Sequence, residues 1–295
     1  MASKHSSKVA VVTGANKGIG LEIVRALCRH FGQDGIVYLT ARNIGRGRAA
    51  VELLQKEGLD PKFHLLDVTD QSSIDKFRDH LEKEHGGIDV LVNNAGIGTP
   101  NHFPLYGKSL WVMKTNFFGV LAISQSLIPL VRSGGRIVHV AGTTGYMVFR
   151  NQFNDDIRNR FRKAKDEQDV VDLINEFLKF CKEGTIAENG WPDEADGIAK
   201  VGVIALSKIQ AAKLSQDKSR RGILINACCP GFVYTDMTAH LPEDHFGGNR
   251  VTTAEGADTP VFLALLCSGT KGPKGKFLLR RKVYDFLHTD VSIKM

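Results

Sequence analysis

No apolar run in this chain of 295 residues reaches the length of about eighteen that crossing a bilayer requires. The opening stretch, MASKHSSK, holds no hydrophobic segment, so no secretory signal is expected in it. Cysteine is scarce, with five residues, an odd number, in no framework spacing and with Cys228 and Cys229 adjacent. That usage points to a reducing compartment, and a cytoplasmic location is expected. No cluster of histidine or cysteine has the spacing of metal ligands, so no metal site is expected. The basic residues lie in scattered groups (158–165, 213–221, 271–282), mixed with acids and lacking interleaved aromatics, which argues against a nucleic-acid surface. The net charge of +7 instead suits a small polyanionic ligand. With 42% hydrophobic and 24% charged residues the composition is globular, which excludes disorder or a membrane protein as the overall class.

What is present is organised around KVAVVTGANKGIGLEIVRAL, residues 8–27. Val9 to Val12 form the continuously apolar run of a parallel strand buried on both faces. Gly14, Gly18 and Gly20, with Asn16 and Lys17 between them, mark a tight turn, and Ile19, Ile23, Val24 and Leu27 then recur at helical spacing. A turn that empties directly into a helix N-terminus aims backbone amides at an anion, and glycines let a pyrophosphate approach closely. An ordinary strand-turn-helix corner would use the same glycines. The second strand is IVYLT, 36–40, and Arg42 stands just beyond it, 22 residues after Gly20. An acid in that region would bond the ribose 2′-hydroxyl of NAD, whereas Arg accommodates the 2′-phosphate of NADP. Lys17 offers a second positive charge, so NADP(H) is the expected cofactor, although either residue alone could be a surface cation.

Helix and strand patterns then alternate: a helix near 46–57, a strand at 62–66 ending in Asp67 and Val68, a helix near 71–84, and a strand at 88–92 leading to Asn93, Asn94, Ala95 and Gly96. Such alternation predicts an α/β, doubly wound domain with a parallel sheet and helices on both faces. Ligands in such a sheet lie beyond the carboxyl ends of the strands, where Gly14, Arg42, Asp67 and Asn94 converge. Between Tyr146 and Ala195 the positions Ile157, Phe161 and Ala164, then Val170, Val171, Ile174, Phe177, Leu178 and Cys181, predict two amphipathic helices.

TGANKGIG, NNAG at 93–96, KTNFFG at 114–119, IVHVAG at 137–142 and CCPGFVYTDM at 228–237 together resemble the short-chain dehydrogenase/reductase superfamily. With the GWP at 190–192 and the long insert, the chain is more narrowly similar to the animal cytosolic carbonyl reductases. The resemblance implies a single Rossmann-type domain over 1–295, with a helical insert at about 146–195 and a substrate lid at about 238–251. It also implies a monomer, because the insert covers the helix face that other members use to oligomerise. It places Pro230, Gly231, Val233 and Thr235 about the nicotinamide, with Thr235 on the carboxamide. Cys228 and Cys229 would border the substrate in the resembled enzymes, although paired cysteines at a strand end are commonly small buried hydrophobes.

At the catalytic centre the sequence departs from the pattern. The resemblance assigns a relay asparagine to Asn116 and the catalytic lysine to Lys200. Lys200 can equally hold the ribose hydroxyls, and Asn116 can simply bond backbone. The tyrosine that would precede Lys200 by four residues is Asp196, and the serine position falls on Gly142. None of the five tyrosines has lysine four residues later. Thr143 lies one residue from the serine position, a weak substitute. A phenol titrating at about 10 can donate a proton at neutral pH, whereas a carboxyl titrating at about 3.9 is expected to be ionised beside a lysine. Ketone reduction should therefore be impaired. Two functions fit: an NADP(H)-dependent reductase of quinones or enones with altered proton donation, or a cofactor-binding protein without turnover that senses NADPH or meets a partner.

Overall fold

The computed structural model describes residues 7–99, 103–242, 250–285 and 287. Its first strand, β1 (Lys8–Val12), is buried at every position after Lys8, as a strand covered on both faces must be. It pairs in parallel with β2 (Gly35–Ala41) and β4 (Ile88–Asn93). β3 (Lys62–Leu65) adds beyond β2, while β5 (Val131–Val140), β6 (Leu224–Cys229) and β7 (Phe277–Leu279) continue outward from β4, all in parallel. The order is β3-β2-β1-β4-β5-β6-β7-β8, with β8 (Lys282–Tyr284) antiparallel to β7. The expected parallel sheet is present, with one antiparallel strand at its edge. Only Arg280 and Arg281 join these last strands, and so short a link can connect antiparallel neighbours alone.

The first three crossovers are α1 (Gly18–Phe31), α2 (Ile44–Gln55) and α3 (Gln71–His85). Asn43 caps α2 by accepting from Arg46 N, and Asp70 caps α3 by accepting from Ser72 N. The start of α1 differs. Lys17 supplies no side-chain cap there, so the amides of that first turn remain open toward the crevice. After β4 the chain forms α4 (Leu105–Met113), a wide π-helical turn at Lys114–Gly119, and α5 (Val120–Leu127).

The insert contains α7 (Asp155–Lys163) and α8 (Glu167–Glu183), the two amphipathic helices the spacing predicts. They follow α6 (Thr143–Asn151) and precede α9 (Ala195–Gln216), the 22-residue helix that carries Asp196 and Lys200. Phe153 stacks on Phe161 with ring centroids 5.5 Å apart, and Trp191 meets Phe153, Phe161 and Phe177. This aromatic group closes the core beneath α9. The last helix is α10 (Thr253–Ala264), opened by a Thr252/Glu255 capping box. Among the described residues no helix is long and apolar enough to cross a membrane, and no group of three or more His, Cys, Asp or Glu could hold a metal.

Candidate active site

The glycine turn is packed against the end of β4. A Cβ on Gly14, whose φ is +61°, would come within 2.7 Å of Ala95 Cα, and one on Gly20 within 2.5 Å of Asn94 Nδ2. Asn94 donates that amide to the carbonyls of Thr13 (3.0 Å) and Gly14 (3.1 Å). Thr13 Oγ1 in turn accepts from the backbone amides of Asn94 and Ala95, both at 3.0 Å. The side chain of Asn94 thus holds the turn in shape, and what faces the crevice is backbone and the start of α1. Asp67 accepts from Thr69 N and Oγ1, while Val68 packs on Gly119 of the wide turn.

On the other side of the crevice, the loop after β6 folds back over α1. Val233 is buried against Gly256 of α10 and pairs with Val251, and Thr235 lies beside Gly18. Pro230 and Gly231 start this loop, with Gly231 at φ +88° and the chain bending at Phe232. Thr238 Oγ1 donates to Val233 O, so both ends of the 238–251 segment are anchored. Residues 243–249 of that expected lid lie outside the described residues. Lys17 reaches across to Asp236 at 2.6 Å, and this pairing holds the Asp236 carboxyl below the usual range. Arg42 is exposed at the end of β2. The positive charge expected from two residues is therefore partly met by an acid at Lys17 and open at Arg42.

Four residues assigned to the catalytic centre meet. Asn116 sits on the wide turn and is fully used: Oδ1 accepts from Ile97 N, and Nδ2 donates to Ile97 O and to Asp196 Oδ1, each at 2.9 Å. Asp196 Oδ2 accepts from Thr144 Oγ1 at 3.1 Å. Lys200 lies one turn further along α9, its stem against Gly142 and its amine near Gly96. Gly142 is extended, with φ 176° and ψ 162°, so the backbone there would accept any residue.

Thr144 is the residue the sequence reading missed. Thr143, the expected neighbour of the serine position, is turned to the buried thiol of Cys229. A Cβ on Gly142 would lie 3.4 Å from Thr144 Oγ1, so the Thr144 hydroxyl occupies the space beside the position that the resemblance gives to a serine. The tandem threonine after Gly142 was the available signal: α6 starts at Thr143, and its first turn faces α9. Close packing of those helices depends on Gly145 and Gly197. A Cβ on Gly145 would lie 2.9 Å from Lys200 Cβ, and one on Gly197 would lie 2.3 Å from Val148 Cγ2.

Cys228 and Cys229 are buried on opposite faces of β6, and burial pushes both thiols up. They are core residues here. A groove of about 710 Å³ on the outer side, between α4, the wide turn and α8, shares only Val68 with the cofactor positions and lies apart from this centre.

The order of strands, the open start of α1 and the crevice lined by strand ends define a dinucleotide-binding oxidoreductase fold. Residues 8–153 match the family model for short chain dehydrogenases, and the chain belongs to the short-chain dehydrogenase/reductase family. Within it, the chain is 46% identical over 286 residues to the NADPH carbonyl reductase 1 of Bos taurus, covering 95% of this chain and 99% of that protein. The Homo sapiens carbonyl reductase 1 is 45% identical over 280 residues, covering 93% and 97%. Among solved structures, salutaridine reductase from Papaver somniferum superposes with a TM-score of 0.77 at 30% identity, covering 92% of this chain and 99% of that one. Menthone neomenthol reductase from Mentha piperita gives 0.75 at 30%, covering 94% and 100%.

Proposed function

We propose that the protein is a cytoplasmic NADPH-dependent reductase in which hydride delivery is retained and the usual proton donor is lost. The observation that carries this reading is the Asp196 carboxylate, which accepts hydrogen bonds from Asn116 and Thr144 at the place where the family has a phenol. The pyrophosphate would lie on the turn formed by Gly14, Asn16, Lys17, Gly18, Ile19 and Gly20, and the 2′-phosphate beside Arg42. Asp67, Val68, Ala95 and Gly96 would surround the adenosine and the adjoining ribose, Lys200 the nicotinamide ribose, and Pro230, Gly231, Val233 and Thr235 the nicotinamide. When bound, NADPH supplies a hydride.

Asn116 and Thr144 fix the carboxylate as an acceptor, so the chain offers a ketone oxygen neither the phenol nor the serine hydroxyl. A neutral ketone then meets a negative charge where its alkoxide would form. A conjugated enone or a quinone is better matched, since its reduced form is a delocalised enolate or phenolate that solvent can protonate afterwards. The test is NADPH absorbance with a panel of ketones, quinones, enones and other hydride acceptors, charged ones included. Enone or quinone turnover well above ketone turnover is the expected result. Tight NADPH binding with no consumption by any compound would overturn the reductase reading in favour of a cofactor-binding protein without turnover.

A further inference from the structure

The two hydrogen-bond donors to Asp196 are both neutral. Asn116 Nδ2 lies 2.9 Å from Oδ1 and Thr144 Oγ1 lies 3.1 Å from Oδ2. Among the described residues no Lys, Arg or His comes within ion-pair distance of this carboxylate, in contrast to Asp89, which pairs with both Lys8 and Arg132. Lys200, on the same helix, is turned instead toward Gly96, where a Cβ would lie 3.9 Å from its Nζ. A half-buried carboxylate has about four acceptor sites, and these two bonds leave others free. Its charge is held in place by the protein and, among the described residues, meets no cation at ion-pair distance, Lys200 included, so a cationic ligand is the partner that completes it.

We propose that the reducible group this site takes is an iminium ion, a positively charged carbon–nitrogen double bond, in preference to a neutral carbonyl; the proposal rests on the reductase reading above. In ketone reduction the carbon gains a hydride while the oxygen becomes anionic and must receive a proton. The site has an acceptor where that proton donor would stand. In iminium reduction the carbon gains the hydride, the C=N π pair withdraws onto nitrogen as a lone pair, and the dihydronicotinamide is oxidised. No proton enters this step. The positive charge present before transfer is stabilised by Asp196, and a nitrogen that carries hydrogen donates to the carboxylate. Asn116 and Thr144 hold both oxygens in a fixed orientation, so the charge is organised before the substrate arrives. The substitution of tyrosine by aspartate then reads as a change in the charge of the substrate.

The test uses the full chain with NADPH and two probes of similar shape, N-methyl-3,4-dihydroisoquinolinium, a permanent cation, and α-tetralone, its neutral counterpart. After subtraction of the uncatalysed rate, kcat/KM for the cation should exceed that for the ketone by at least about ten-fold, with little change over roughly pH 6 to 8, because no proton is taken up. Asp196→Asn should lower the cation's kcat/KM by about ten-fold or more and leave NADPH affinity within about two-fold, which shows that the variant folds. A readout without turnover accompanies it: calorimetric binding of N-methyl-tetrahydroisoquinolinium, the cation that the product amine becomes once solvent protonates it, should weaken by a similar factor in Asp196→Asn. An iminium reduced no faster than the ketone, or cation binding indifferent to Asp196→Asn, overturns the proposal. Enone reduction without iminium reduction removes this inference alone, whereas inertness toward every compound removes the reductase reading as well.

Discussion

Arg42 is exposed at the end of β2 with no hydrogen bond or ion pair to another described residue, whereas Lys17 is held by Asp236. The 2′-phosphate should therefore draw most of its discrimination from Arg42. NADPH is expected to bind at least about ten-fold more tightly than NADH, about 1.4 kcal/mol from one charge-assisted contact. Arg42→Ala should remove most of that ratio and Lys17→Ala much less, and equal dissociation constants for the two cofactors in the unaltered protein would contradict the assignment. Arg42 was legible in the sequence because a strand end and a glycine turn fix its place within the crevice. Thr144 was not, since the direction of a side chain in the first turn of α6 depends on how α6 meets α9. The Asp236 partner of Lys17 was hidden for a similar reason: 219 residues separate them, and only the folded-back loop after β6 joins them.

The helix pair α6 and α9 sets the relative positions of Thr144, Asp196 and Lys200 through glycines that appeared in the sequence as unremarked positions. Gly197→Ala would place a methyl 2.3 Å from Val148 Cγ2 and 3.0 Å from Thr144 O. The helices would have to move apart, so unfolding studies should show a loss of about 1–3 kcal/mol despite the better helix propensity of alanine. Turnover should fall further than stability explains, because Thr144 and Asp196 lie on the two separating surfaces. A fully stable, fully active variant would contradict this account of the contact. Periodicity sufficed for β1 to β4, α1 to α3 and the insert helices, with ends displaced by a residue or two, since each buries one continuous stripe or run. It did not disclose the β7–β8 hairpin, because three-residue strands are too short for a repeat and their turn consists of Arg280 and Arg281 at positive φ, a place where glycine or asparagine is the usual marker.

Across the whole molecule, a buried polar chain ties one face of the sheet to α5, α9 and the insert. Asn93 on β4 bonds Ser124 on α5 and His139 on β5, His139 bonds Gln210 on α9, and Gln210 donates to Glu167 at the start of α8. Burial pushes the fully buried His139 down to about 4. The folded protein thus leaves it neutral while the unfolded chain takes up a proton near 6.5, so its contribution is intact above about pH 6.5 and is lost as pH falls toward 4, by about 3 kcal/mol. Denaturant unfolding should show less of this acid loss in His139→Asn than in the unaltered protein; identical slopes would contradict it. The insert that this chain secures also packs along α4, and a monomer is the expected state in sedimentation. The central claim, that the fold keeps a reductase site from which only the proton-donating groups have gone, is tested most directly by restoring them. Gly142 is extended, and a Cβ there meets Thr144 Oγ1 at 3.4 Å and Lys200 carbons at 3.9 and 4.0 Å, so a serine fits. The double variant Gly142→Ser, Asp196→Tyr should raise kcat/KM for a simple dione on the order of a hundred-fold, with Asp196→Tyr alone giving most of the gain. A double variant that folds, binds NADPH and reduces the dione no faster than the unaltered protein would contradict the claim.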